Sequence, residues 1–448
     1  MNPIPENNNK GEIENQGLSM AMSLIEQYNT APAKADEIFL SRFLVCTDKN
    51  RQYWRACQFI FLTVLRNKPL IEKAIKSHCK KFPKGKLRAI LECVSAQLVE
   101  ASPDECPKII DDGVETAKSF LSAPEVGFCN AVLRKNLKFI KDFKNSAETF
   151  EDKTMLLGHP LWLAKRWSDA FGEGVALEIM QKNQEPSPVF FRKAFGAQAD
   201  AEFAKRAEFF APAEFEDFYI MKGGSFGEVE YLAKNKLAYI QDPSTSYAPK
   251  LLNPLCGETV LDLCAAPGGK SRFILDLLKK SAASSGGDIS KSVLVSVDQG
   301  GKRFKMLLEN LEGETSARAL ACDLFKEDLA QKLAAQNLPQ TFDAVLLDAP
   351  CSNSGVVGRR PDVRMRIRPQ DIAACAKIQL GLLDAAKKFV KAGGRLVYST
   401  CSIDEEENGA VIKKFLAENP DFTLEKGGIN LPLAHSDGSG AFLLKKLS

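Results

Sequence analysis

The sequence predicts a multidomain protein. An all-α bundle comes first, then a small α+β unit, then an α/β Rossmann-like domain with a mostly parallel sheet. Three observations carry this. The 448 residues exceed one ordinary domain. Apolar residues at helical spacing dominate positions 20–148. From about residue 255, short β-branched runs alternate with helical stretches.

Residues 1–19 include MNPIPENNNKGEIENQG, polar and Asn-rich, without the basic-then-apolar order of a secretion signal. They are expected to form a short disordered tail. In 20–148, LRAILECVSAQL places Leu87, Ile90, Leu91, Val94 and Leu98 on one helical face. Pro69, Pro83, Pro103 and Pro124 are expected between helices, giving a bundle of five or more. In 149–250, HPLWLAKRWSDAFG and VALEIMQKNQ read as helices. SPVFFRKAF, EDFYI and EVEYLAKNKLAYI read as short strands of a small α+β domain. In 251–448, the strands are VLDL, VLVSVD, ALACD, FDAVLLDAP and GRLVYSTCS. Between them lie helical KSRFILDLLKK, RFKMLLENL and DIAACAKIQLGLLDAAKKFVKAG. SAASSGGDISKS reads as a flexible surface insertion.

Composition narrows the chemistry. The 12 cysteines contain no C-x-x-C pair, and with only 3 histidines a zinc site is not expected. Scattered thiols without a secretion signal point to a reducing, cytoplasmic compartment. No apolar run reaches membrane-spanning length. A net charge of +3 means that any nucleic-acid binding must use local patches. A monomer is expected.

The turn LDLCAAPGGKS (261–271) resembles the tail of a triphosphate loop, but that pattern needs glycine at 264, where this chain has Cys264. Ligands in such sheets sit beyond the carboxyl ends of the strands. The residues there are Cys264, Ala265, Ala266, Pro267, Gly268, Gly269 and Lys270, with Asp298 and Asp323 closing the next two strands. A carboxylate for ribose hydroxyls, another for an adenine amino group and a glycine turn suit an adenosyl ligand, S-adenosylmethionine. A P-loop-like NTPase is the alternative, with Asp348 the one candidate for magnesium.

DAPCS (348–352) and STCS (399–402) end neighbouring strands, so Cys351 and Cys401 can face one substrate. A thiolate adding to carbon 6 of a pyrimidine makes carbon 5 nucleophilic toward a sulfonium methyl. A second thiol has a use in the elimination that follows. Lys270 is the nearest candidate cation to favour thiolate, and Asp348 can hold the far edge of the base. Beyond them, residues 359–368 carry Arg359, Arg360, Arg364, Arg366 and Arg368 against one acid, Asp362. Arg359, Arg360 and Arg364 are candidate phosphate contacts for a looped or single-stranded RNA whose base is unstacked.

LDLCAAPGGKS, LLDAPCSNSG with RRPDVR, and LVYSTCSIDEEENGAVI together resemble the core motifs of the Sun/Nop-type RNA cytosine-5 methyltransferases, in particular their bacterial small-subunit rRNA branch. IQDPSTSYAPKLLNP, HPLWLAKRW and FFRKAF resemble segments of the same enzymes. YWRACQFIFLTVLRNKPLIEKAI and PEVGFCNAVLRK resemble their NusB-like RNA-binding domain. The resemblance implies cytosine rather than uracil, and small-subunit (16S) rRNA or an assembly intermediate as partner. It implies Cys401 as nucleophile and Cys351 as the group assisting release. It also implies Lys270 and Asp348 as positioning groups, and S-adenosylmethionine bound by 264–270, Asp298 and Asp323. A non-catalytic RNA-binding assembly factor on the same fold is a further alternative. Four departures stand out: Asn353-Ser354-Gly355 where Gly-Thr-Gly is usual, Ser271 for Thr, Gly300-Gly301 after Asp298, and Gly-Ala-Phe for Gly-Phe-Phe near the C-terminus. His435, in that last segment, is read as structural.

Overall fold

The computed structural model describes residues 10–35, 37–39, 48–223, 226–433 and 436–448. The chain folds into two compact units. One is 1–185 with 357–366, and the other is 186–356 with 367–448.

The first unit is helical: α1 Lys10–Thr30, α2 Asp48–His78, α3 Gly85–Glu100, α4 Cys106–Lys118, α5 Ala123–Ser146, α6 Phe150–Leu156, α7 Leu161–Phe171 and α8 Glu173–Lys182. The expected tail is too long, because α1 already begins at Lys10 and buries Leu18, Ala21, Met22 and Ile25. Four apolar side chains at helical spacing outweigh the polar residues before them. Pro69 lies inside α2 rather than between helices. The helix survives because Leu65, Leu70, Ile71 and Ala74 around it are fully buried in the core. Pro124 does mark a boundary. It opens α5, where Ser122 and Glu125 form a reciprocal capping box. The helical residues of the expected 149–250 domain, 150–182, belong to this unit, and its sheet belongs to the other.

The second unit holds two sheets. The smaller is antiparallel, in the order β2-β3-β1-β4: β1 Phe190–Lys193, β2 Phe210–Pro212, β3 Phe218–Met221, β4 Ala238–Ile240. One face packs Phe191 and Phe210 against Phe203 of α9 (Ala197–Lys205) and Val229 and Leu232 of α10 (Phe226–Lys234). EVEYLAK is thus helix, not strand. Val229 and Leu232, three apart, are both buried, which is helical spacing.

The larger sheet has the order β10-β11-β9-β8-β5-β6-β7. Its strands are β5 Thr259–Leu263, β6 Val293–Asp298, β7 Ala317–Ala321, β8 Phe342–Asp348, β9 Val390–Thr400, β10 Phe422–Asn430 and β11 Ser439–Lys446. Strands β5 to β9 are parallel, while β11 and β10 add antiparallel at one edge. Successive strand residues feed two cores. Leu261, Leu263, Val295, Val345 and Leu347 pack on one face, and Val260, Leu294, Ala344 and Leu346 on the other. Burial on both faces explains the near-continuous apolar strands. After α11 (Tyr247–Leu252), the supposed insertion SAASSGGDISKS is instead largely the end of α12 (Gly269–Ser285), stopped by left-handed Gly286, and a short 3-10 turn. The order reverses at β5, so the carboxyl ends of β5, β6 and β8 flank the switch point.

Candidate active site

The turn after β5 is built for close approach. Cys264 has φ 58° and Gly268 φ 106°, and a Cβ at Gly268 would come within 3.0 Å of Leu307 on α13 (Lys302–Leu311). A larger residue would push the turn off that helix. The Ala266 N–H donates to Asp298 Oδ2 at 2.8 Å, which fixes the Asp298 carboxylate beside the turn. Burial raises the Asp298 carboxyl, against the Ala266 hydrogen bond. Asp323 lies two residues beyond β7 and accepts from the Phe325 N–H at 3.0 Å. That bond, with Lys326 at 3.2 Å, lowers its carboxyl. Two strand-end carboxylates and a turn that packs only because Gly268 lacks a side chain fit an adenosyl group. After Gly300-Gly301, α13 starts at Lys302, and Asp298 is held by the Ala266 N–H.

Lys270 opens α12, and its Nζ lies 2.7 Å from Asp348 Oδ2. The other Asp348 oxygen accepts from Ser399 Oγ at 2.7 Å. Burial pulls the Lys270 ammonium down, but Asp348, with Cys401 and Asp262, more than offsets this and raises it. Lys270 is therefore a cation committed to a carboxylate, and that pairing leaves this turn without a free lysine for a triphosphate. Beneath it, Asp262 is fully buried. Its Oδ2 accepts from Ser271 Oγ at 2.5 Å and its Oδ1 has no partner. Burial raises the Asp262 carboxyl to about 7, with Asp348 and Asp298 adding to it and Ser271 opposing it. Ser271 keeps the hydroxyl that this bond needs, so the Ser-for-Thr departure costs nothing here.

The two thiols meet. Asp348 and Ser399 are register partners on adjacent parallel strands, and three and two residues later Cys351 and Cys401 bring their sulfurs to 2.9 Å. The hydrogen bond to Cys401 and burial together push Cys351 well above the usual thiol range. Gly355 makes the approach possible. Its N–H donates to the Cys401 carbonyl at 3.0 Å, and a Cβ there would strike Gly438 O at 2.5 Å.

Three further residues of the site were not among the candidates named from the sequence. Glu407 is fully buried and accepts from the Ser352 N–H and Gln379 Nε2, both at 2.9 Å. Burial raises its carboxyl, against these bonds. Gln241, from the segment before the turn, donates to Gly269 O at 3.3 Å. Asn353 contacts both cysteines.

Arg364 is a correction. It is fully buried in the first unit, donating to the carbonyls of Arg66 (3.2 Å), Leu157 (3.3 Å), Gly158 (3.3 Å) and Asn183 (3.0 Å). Burial, with Arg66 nearby, lowers it to about 9. Its guanidinium is spent on backbone and cannot reach a phosphate. Arg359 and Arg360 are half-buried. His435 lies outside the described residues. Among the described residues, no group of three or more His, Cys, Asp or Glu side chains could hold a metal ion, and no helix is long and apolar enough to cross a membrane.

Comparison with known proteins agrees with this geometry. The model of the 16S rRNA methyltransferase RsmB/F family matches residues 249–443, and that of the NusB family residues 18–138. The probable ribosomal RNA small subunit methyltransferase B of Bacillus subtilis is 32% identical over 80% of this chain and 78% of its own length. The Shewanella oneidensis ribosomal RNA small subunit methyltransferase B is 29% identical over 92% and 89%. Among solved structures, PH0851 superposes with a TM-score of 0.74 over 99% of this chain and all of its own, at 24% identity. A methyltransferase homologue from Pyrococcus horikoshii gives 0.53 over 66% and 99%, at 26% identity. With its NusB domain, its strand-end carboxylates and its paired thiols, the chain belongs to the ribosomal RNA small subunit methyltransferase B family, S-adenosylmethionine-dependent methyltransferases of the RsmB/F type.

Proposed function

We propose that this enzyme methylates carbon 5 of a cytosine in small-subunit rRNA through a covalent bond from Cys401 to carbon 6. The observation that carries this reading is the 2.9 Å approach of Cys351 and Cys401 beside the Lys270–Asp348 pair. S-adenosylmethionine supplies an electrophilic methyl when bound. Residues 264–270, Asp298 and Asp323 would hold it beyond the ends of β5, β6 and β7. Cys401 loses its proton to solvent and adds as thiolate to carbon 6; the ring electrons pass to carbon 5, which takes the methyl while the electrons of the broken sulfur–methyl bond stay on the departing thioether. Solvent then takes the proton from carbon 5, the electrons of that C–H bond re-form the ring double bond, and the carbon–sulfur bond breaks with its pair on Cys401. Cys351 assists that elimination. Asp348, with both oxygens already held, is an anion of fixed direction beside the base and keeps the Lys270 ammonium near the reacting sulfur. Arg359 and Arg360 contact RNA phosphates in this reading; Arg364 does not.

The test uses labelled cofactor and rRNA. Cys401→Ala is expected to lose methyl transfer by at least about 10³-fold. Cys351→Ala is expected to transfer once and remain bonded to RNA, seen as a band stable in denaturing gel. Full activity in Cys401→Ala refutes the mechanism. RNA affinity without turnover in the unaltered enzyme would favour the assembly-factor reading instead.

A further inference from the structure

Position 353 carries an asparagine whose side chain the structure sets between the two thiol loops. Asn353 has φ 67°, a left-handed conformation that glycine adopts freely and asparagine tolerates. Its side chain lies across the two thiol loops. Nδ2 donates to the Cys351 carbonyl at 3.0 Å, and the Cys401 thiol lies 3.2 Å from Oδ1. The amide cannot be turned over without loss, because only its NH2 end can donate to a carbonyl. Oδ1, which can only accept, therefore faces Cys401. With the Cys401 proton directed at Asn353, Cys351 is the donor in the S···S contact. The three groups form one chain of hydrogen bonds, Cys351 to Cys401 to Asn353.

An amide oxygen stabilises a thiol and repels a thiolate. Glycine at this position would present no acceptor and would leave room for water. We propose that Asn353 is a positioning residue that holds the Cys401 thiol by its hydrogen bond and aims it between turnovers. The catalytic meaning of this rests on Cys401 being the nucleophile, but the contact and its test do not.

The test is alkylation of Cys401 by iodoacetamide in the full-length protein without RNA or cofactor. Peptide-resolved mass spectrometry follows it from about pH 6 to 10, around the ordinary thiol range. Each rate is expressed relative to its own alkaline plateau, so that a change in access cancels. Asn353→Gly fits the same backbone conformation. It is expected to raise the relative rate near pH 7 about fivefold, the equivalent of one neutral hydrogen bond of about 1 kcal/mol. Asn353→Asp, which sets a carboxylate against the sulfur, is expected to lower it at least about tenfold and move the profile to higher pH. Opposite displacements in the two variants support the assignment, since simple loosening of the loop would move both the same way. An unchanged profile in Asn353→Gly, or displacement of both variants in one direction, overturns it. Normal methylation by Cys401→Ala would instead remove the nucleophile assignment and leave this result standing.

Discussion

Replacing Asp262 with asparagine isolates the cost of burying an acid under the site. The carboxyl is fully buried, has one oxygen without a partner, and is raised from the usual 3.8 to about 7. Below about pH 4 it is protonated in both folded and unfolded chains and has no effect on stability. Between about 4 and 7 the unfolded chain releases the proton while the folded one keeps it, so stability falls as pH rises. Above about 7 the loss is complete. A rise from 3.8 to about 7 corresponds to about 4 kcal/mol at about 1.36 kcal/mol per pH unit, an upper bound because the surroundings relax. Asparagine keeps an acceptor for Ser271 and has no proton to lose. The stability of Asp262→Asn minus that of the unaltered chain should therefore climb through this window and be flat on either side. Other titrating groups cancel in the difference. Tryptophan fluorescence cannot read it, since Trp54, Trp162 and Trp167 all lie in the first unit. Hydrogen exchange of the β5 and β6 amides can. A difference that is flat between pH 4.5 and 8, or that falls, refutes the assignment of a buried, raised carboxyl.

Two further substitutions separate structure from chemistry. Arg364→Met should leave four carbonyls without their shared donor and destabilise the first unit by about 3 kcal/mol, read by tryptophan fluorescence in denaturant. The salt dependence of RNA binding by the folded fraction should not change; a weaker dependence would restore Arg364 as a phosphate contact. Glu407→Gln should loosen the Ser352 N–H contact next to Cys351. First-turnover methyl transfer should stay within about threefold, while steady turnover drops about tenfold and RNA adduct accumulates, amounting to about 1.4 kcal/mol on the release step. Equal loss in both phases would assign Glu407 to folding alone.

Most of the catalytic sheet was legible because strands buried on both faces leave unbroken apolar runs and their polar ends are exposed by contrast. Asp298, Asp348 and Cys401 stood out for that reason. The pairing of Cys351 with Cys401 followed from expecting β8 and β9 to be neighbours. Four kinds of feature escaped. Local polarity misled at α1, whose polar first residues, 10–17, belong to a helix held by tertiary contacts. Alternation misled at α10, where seven residues are too few to separate period 2 from period 3.6. Arg364 looked like its four neighbouring arginines because a charge-dense segment does not show which member turns inward. That depends on carbonyls from Arg66, Leu157, Gly158 and Asn183, up to 298 residues away in sequence. Glu407 acts through the backbone N–H of Ser352, 55 residues away, and Asn353 through the thiol of Cys401, 48 residues away, and such contacts leave no spacing pattern.

The contact between the two sulfurs also orders events in time. Two negative charges at that separation exclude one another, so only one of the pair can be armed at once. In the mechanism proposed above, Cys351 would hold its proton until Cys401 is bonded to carbon 6. Cys401 would then be neutral, and the constraint on its neighbour would lapse. On that reading attack itself would trigger departure, with no separate signal to the second thiol.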